Sequence, residues 1–261
     1  DWQEWASYYG QNNDELHMPF NFALINTPWR ADVVREVVEN VERVLSKGQQ
    51  PNYVFSNHDE HRIASRIGEP AARACMLLLL TLRGTPTLYY GDEIGMVDGD
   101  IPPELAQDPW GKNVQGLGLG RDPERTPMQW DSSPNAGFAP EGVRTWLPVN
   151  PDYPTRNVAA QLADPRSMLN LTRALLKLRR ESPALHGGSY RTLSGDAHVY
   201  VFERAAGAQR FIVAINFTAE PRQVALPSGG ALIISTEMDR ADERVGEQLS
   251  LRPYEAVIVR V

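Results

Sequence analysis

Cysteine is nearly missing from this sequence: Cys75 is the one thiol among 261 residues. A disulfide within the chain is excluded, and a buried, inert thiol in a reducing compartment is the default, so the expected location is cytoplasmic. Long apolar runs are missing as well. The longest, Ala71 to Leu82, falls short of the ~20 residues that a bilayer span needs. It contains Arg73 and is followed by Arg83 and Gly84, and it reads as a buried helix. The opening DWQEWASYYG has no basic stretch leading into an apolar core, so no signal peptide is expected, and a start at Asp1 in place of Met reads as a fragment or a processed product. Positive charge is in deficit, with 26 Lys and Arg against 33 Asp and Glu and a net charge of −7. That balance argues against a nucleic-acid or anionic-membrane partner. Internal repeats and low-complexity tracts are also absent, and a composition with 42% hydrophobic and 23% charged residues is ordinary for a globular protein.

What is present falls into two patterns. Up to about residue 186 apolar strands alternate with amphipathic helices. His17 to Leu24 (HMPFNFAL) reads as a strand; Thr27-Pro28 opens a helix with valines 33, 34, 37, 38, 41 and 44 on one face, and Gly48 stops it. Asn52 to Ser56 is a second strand, Pro70 opens a helix that ends at Arg83-Gly84, and Thr87 to Gly91 is a third strand. A last helix runs from Asp164-Pro165 and stops before Pro183. Strands without polar alternation, separated by helices, predict a parallel sheet buried on both faces. From residue 187 to 261 short strands at 199–202, 211–215, 223–226, 231–235 and 256–261 follow one another with turns between them, which predicts an antiparallel β-sheet domain of the sandwich type. A long segment at 92–163, rich in Gly, Pro, Asp and Trp, follows the third strand. Structureless loops of that length are usually functional, and parallel-sheet enzymes place their chemistry at strand C-termini.

Three stretches carry candidate chemistry. Phe55 to Arg62 (FSNHDEHR) puts Asn57, His58 and Asp59 directly after a strand; capping and local hydrogen bonding explain the same residues equally well. Gly84 to Met96 (GTPTLYYGDEIGM) delivers Asp92 and Glu93 to the same rim, where Glu93 is also open to a plain ion pair with a neighbouring Arg. Gly120 to Phe138 (GRDPERTPMQWDSSPNAGF) sets Arg121, Arg125 and Trp130 on a loop. Guanidinium and aromatic groups together suit sugar binding, and they suit loop packing too.

Together, and in this order, these stretches resemble the α-amylase family of glycoside hydrolases, in its α-glucosidase and oligo-1,6-glucosidase branch. FSNHDEHR resembles the family's fourth signature region and RGTPTLYYGDEIGM its eighth barrel strand; HMPFNF and RTPMQWD-SPNAGF look like that branch in particular, and the tail with NVAAQ and LRRESPAL resembles its eighth helix and C-terminal domain. The resemblance implies an α/β fold followed by an all-β domain: strands six to eight and the helices of a (β/α)8 TIM barrel over 1–186, with the active-site loop at 92–163, then an antiparallel β-sandwich over 187–261. Three strands cannot close an eight-stranded barrel. The implied partner is the N-terminal half of the barrel, or self-association that covers the open edge, together with an α-glucoside oligosaccharide substrate.

Retaining glycosidases need two carboxylates, a nucleophile and an acid. The family's nucleophile lies in a G-F-R-x-D pattern, which this chain lacks. The resemblance therefore implies part of a retaining α-glucosidase, inactive alone, that supplies the family's third carboxylate. That residue is Asp59, a transition-state stabiliser that grips the 2- and 3-hydroxyls of the reacting sugar. His58 would support the same hydroxyls, Arg125 would fix the 4-hydroxyl of a terminal glucose, Glu93 would shape the aglycone side, and Arg62 would touch substrate or hold the Asp59 loop, with a structural ion pair as its first expected role. Trp130 and Phe138 are expected to pack. No cofactor is expected and no metal ligand cluster stands out, calcium being a matter for the part of the family fold not represented here. A transglycosidase on the same scaffold, of the sucrose isomerase or trehalose synthase type, and a non-catalytic sugar-binding or scaffold relative remain as alternatives.

Overall fold

The computed structural model describes residues 1–114 and 119–261; residues 115–118, a short part of the loop expected at 92–163, lie outside the described ones. The helices run in the order α1 (Trp2–Ser7), α2 (Ala31–Val44), α3 (Ile63–Ile67), α4 (Glu69–Thr81), α5 (Pro109–Asn113), α6 (Val158–Ala163), α7 (Met168–Glu181) and α8 (Pro183–His186). The strands are β1 (Asn52–Val54), β2 (Thr85–Thr87), β3 (Ser189–Gly195), β4 (Val199–Ala206), β5 (Gln209–Asn216), β6 (Arg222–Ala225), β7 (Gly230–Ser235), β8 (Arg244–Val245), β9 (Gln248–Leu251) and β10 (Ala256–Arg260). The chain divides into two compact units: Asp1–Phe55, Arg73–Thr87 and Thr172–Val261 make one, Ser56–Ala72 and Leu88–Leu171 the other.

In the first unit, β1 and β2 pair in parallel, Asn52 opposite Thr85 and Val54 opposite Thr87. The Asn52 amide, fully buried, donates to Thr87 Oγ1 at 2.7 Å and to the Thr85 carbonyl at 3.0 Å, which locks the register. The strand expected at Thr87 to Gly91 thus begins two residues earlier and ends at Thr87. The strand expected at His17 to Leu24 is irregular chain that ends in a turn at residues 23–25, where Ile25 N–H donates to the Phe22 carbonyl and Thr27 N–H to that of Leu24. A parallel strand exists only beside a partner, and in the first unit's two-stranded sheet the His17 to Leu24 segment has none, while the Thr87 to Gly91 segment has one only at Thr87, opposite Val54. In its place the Phe20 and Phe22 rings stack on each other, 5.6 Å apart and half-exposed.

Helix α2 buries Ala31, Val34, Val38 and Val41 at the 3–4 spacing read in the sequence. It starts at Ala31, three residues past Pro28, because the Thr27 hydroxyl donates to the Ala23 carbonyl and Arg30 N–H to the Pro28 carbonyl. Helix α4 is apolar all round, with residues 71 to 82 buried, as a helix enclosed on every side must be.

The terminal strands form a six-stranded antiparallel sheet in the order β3-β4-β5-β10-β7-β8 and a separate β6–β9 ribbon. One face of the sheet, including Val201, Ile212, Ala214 and Val257, packs on Val224, Leu249 and Leu251 of the ribbon. On the other face Tyr200 and Phe202 are buried, and α2 and α8 lie against β4. The sandwich is therefore lopsided: helices cover one face and two short strands the other.

Three arginines that interrupt the apolar pattern are buried and serve as backbone donors. Arg73 donates to the Thr236 carbonyl. Arg179 donates to the carbonyls of Leu80 and Leu82 at 2.8 and 2.9 Å and to that of Gly84. Arg204, 0% exposed, reaches the carbonyls of Thr81, Leu185, Gly188 and Ser189. The last carbonyls of a helix have no partner within it, and at the buried end of α4 two guanidinium groups supply that partner.

Candidate functional site

The second unit holds the stretches singled out in the sequence. After β1 the chain turns sharply: Asn57 Oδ1 accepts the N–H groups of Asp59 and Glu60, both at 2.9 Å, an Asx turn that presents His58 and Asp59 outward. The Asp59 side chain is 43% exposed. Its Oδ1 accepts from Arg121 Nη1 at 2.9 Å and from Arg125 Nη2 at 3.0 Å, and its Oδ2 lies 3.5 Å from His58 Nε2. Arg125 Nε also donates to the His58 carbonyl at 2.7 Å. Two guanidinium groups thus fix one carboxylate oxygen, and the other lies beside an imidazole.

Arg121 is itself held. Asp108, buried, accepts from Arg121 Nη2 at 2.8 Å and from the Arg121 N–H at 3.0 Å, and this guanidinium keeps the Asp108 carboxyl below the usual carboxylate range. Asp122, buried too, accepts the N–H groups of Gln107 and Asp108. Beside Arg125 lies a cleft of about 400 Å³ whose walls include Tyr90, Phe138 and Trp146. Trp146 is 75% exposed, and Phe138 and Trp130, expected to pack, stand half-exposed.

Arg62 and Glu93 are placed apart from this cluster. Arg62 is fully buried; Nη1 donates to the Tyr90 carbonyl at 2.6 Å and the guanidinium stacks over the rings of Tyr89 and Tyr90. It holds the chain from beneath. Glu93 sits half-buried in the 3₁₀ turn Asp92–Ile94 and makes no hydrogen bond to the Asp59 group. Its neighbour Asp92 is buried, and burial pushes its carboxyl up to about 7 against the pull of Arg62.

The raised Asp92 carboxyl has a consequence for stability. An unfolded Asp ionises near 4, so between about pH 4 and 7 the folded chain holds the extra proton, and folding weakens as pH rises through that window. Carboxyls held low, such as Asp108, lose their contribution only in acid, below this range. The Asp92→Asn variant should therefore gain thermal stability relative to the parent chain between pH 5 and pH 8 in circular-dichroism melts; equal shifts for the two proteins across that range would contradict the assignment.

The family model for the "Alpha amylase, catalytic domain" matches residues 1–188. The chain belongs to the α-amylase family. Among its α-amylase-family relatives, the oligo-1,6-glucosidase of Parageobacillus thermoglucosidasius is 30% identical over 302 residues, covering 99% of this chain and 53% of that enzyme. The human amino acid transporter heavy chain SLC3A1 is 37% identical over 215 residues, 80% of this chain and 30% of that protein. Among solved structures, the trehalulose synthase of Pseudomonas mesoacidophila superposes with a TM-score of 0.88 at 29% identity, over all of this chain and 53% of that one. The chain spans about half the length of the family members it matches, or less.

In the sequence Arg121 stands out only as a loop arginine, and Asp108 does not stand out at all. The signal was faint: Asp108 precedes a proline in a region without periodicity, and only folding brings it to Arg121 across 13 residues. No helix among the described residues is long and apolar enough to cross a membrane.

Proposed function

We propose that this chain supplies the last part of the catalytic barrel within residues 1–186, with β1 and β2 as its seventh and eighth strands and the His17–Leu24 segment at the place of the sixth, and the β-domain at 187–261 of a retaining α-glucosidase that releases terminal α-linked glucose from oligosaccharides. The family match, which ends at residue 188, supports that division, and relatives named as glucosidases support the substrate class. The observation that carries the reading is Asp59 itself, an exposed carboxylate with one oxygen fixed by Arg121 and Arg125 and the other 3.5 Å from His58 Nε2.

The transition state of glycoside cleavage is oxocarbenium-like, so a fixed carboxylate at the reacting sugar stabilises it, and bonds to the 2-hydroxyl strengthen as charge develops. Asp59 Oδ2 is the oxygen available for those hydroxyls, His58 supports them, and Arg125 fixes the far end of the glucose. Arg62 acts through the backbone it holds, and Glu93 borders the aglycone side. Nucleophile and acid come from a further N-terminal portion of the barrel, which also covers the Phe20–Phe22 pair and the open edges of the β1–β2 sheet. The work is cytoplasmic and needs no cofactor.

The 261-residue chain alone should show no turnover of a chromogenic α-glucoside, and addition of the N-terminal half-barrel should restore it. Turnover by the isolated chain would overturn the division of labour. The solved trehalulose synthase favours a second reading, transfer in place of hydrolysis. Product analysis with maltose, isomaltose and sucrose separates the two, since they differ in whether water is kept from the acceptor side. The transporter heavy chain keeps a non-catalytic relative in view; a restored complex without turnover on any of these sugars would favour it.

A further inference from the structure

Outside the Asp59 cluster, three side chains of metal-binding type converge in the second unit. His61, Asp98 and Glu124 each offer one ligand atom, and these atoms all lie within 4.8 Å of one another. Zn²⁺ bonds of about 2.0–2.2 Å set donors roughly 3.3–3.6 Å apart, so modest shifts of the three side chains, with His61 and Asp98 moving slightly apart, make a coordination site. The group is pre-arranged. His61 Nδ1 stands 2.8 Å from Asp98 Oδ2, and the other Asp98 oxygen accepts the Arg62 N–H at 2.9 Å. The independent sign of a missing ligand is Glu124: it is 2% exposed, and its Oε2 has no hydrogen-bond partner. A buried carboxylate oxygen left unpaired is costly, and a cation in the cluster removes that cost.

We propose that His61, Asp98 and Glu124 bind a divalent first-row cation of the Zn²⁺ type. One imidazole nitrogen and two carboxylate oxygens suit such an ion better than Ca²⁺, which takes six or more oxygens. Its place in the chain gives it a use. His61 lies two residues after Asp59, and Glu124 immediately precedes Arg125, which donates to Asp59. The ion ties the Asx turn that carries Asp59 to the turn that carries Arg125, and so stiffens the contact between them.

The test needs no activity. The 261-residue chain, stripped with a chelator, is titrated with Co²⁺ by visible absorption and with Zn²⁺ by calorimetry. The expected result is one equivalent bound at micromolar or tighter affinity, roughly, and a rise in the melting temperature. Glu124→Gln and His61→Asn each weaken binding by about tenfold or more, while His58→Asn and His186→Asn leave it unchanged. His61 is exposed, so His61→Asn remains informative where the buried Glu124→Gln disturbs folding. Absence of binding, binding that survives His61→Asn, or binding that depends on His58 or His186 would each overturn the site.

Discussion

Asp59→Asn in the complete enzyme lowers kcat by about a hundredfold or more with little change in the melting temperature. The amide keeps the shape of the carboxylate and still accepts a hydrogen bond from Arg121 or Arg125, so the turn built on Asn57 stays formed. What it removes, on the function proposed above, is the negative charge beside the glucosyl cation. That charge acts on the transition state far more than on the neutral ground-state sugar, so the loss falls on kcat and not mainly on KM. Stability is little affected because the ion pairs of Asp59 are partly exposed, and exposed pairs contribute at most about 1 kcal/mol. Steady-state kinetics with a chromogenic α-glucoside, alongside a melt of each protein, decides the matter. Turnover near that of the parent enzyme would take Asp59 out of the chemistry.

Arg204→Ala has the largest expected effect on folding: a loss of roughly 3–5 kcal/mol, a large fraction of the about 5–15 kcal/mol that holds a typical domain. Burial lowers the Arg204 pKa to about 9, still above neutrality, so the buried group is a guanidinium with its full set of donors. Those donors meet the carbonyls of Thr81, Leu185, Gly188 and Ser189. Alanine leaves all four without that partner and opens a cavity the size of the side chain. A lysine at the same position reaches fewer of them and should recover only part of the loss. Urea melts of the 261-residue chain and the two variants measure this; a cost for alanine below about 1 kcal/mol would show that the carbonyls find other partners.

Those arginines mark where sequence reading ran out. The valine face of α2, the apolar α4 and most of the terminal strands were legible because their periodicity reflects a local fact, which side of an element is buried. The strands at His17 to Leu24 and Thr87 to Gly91 were misplaced or missed because strand identity depends on a neighbour, which lies elsewhere in the sequence. β3, β8 and β9 were overlooked because their exposed, polar residues dilute the pattern. Within the site, Asp59, His58 and Arg125 could be picked out from local motifs, and the structure brings them together. Asp108, Arg121 and the His61–Asp98–Glu124 group meet only through folding, between residues 13 to 63 positions apart. No short motif can carry such a meeting.

The carbonyls that close α4 also set an order of events during synthesis. The Thr81 carbonyl waits for a donor 123 residues downstream, and Arg73 waits 163 residues for the Thr236 carbonyl. Contacts so distant in sequence form late and slowly. A ribosome that has released only the segment up to residue 188 exposes a greasy helix whose tail has Arg179 but neither Arg204 nor the sheet that buries it. The segment that matches the catalytic-domain model should therefore not fold by itself, since the Thr81 carbonyl and the Arg73 guanidinium gain these partners only once the terminal β-domain has been made.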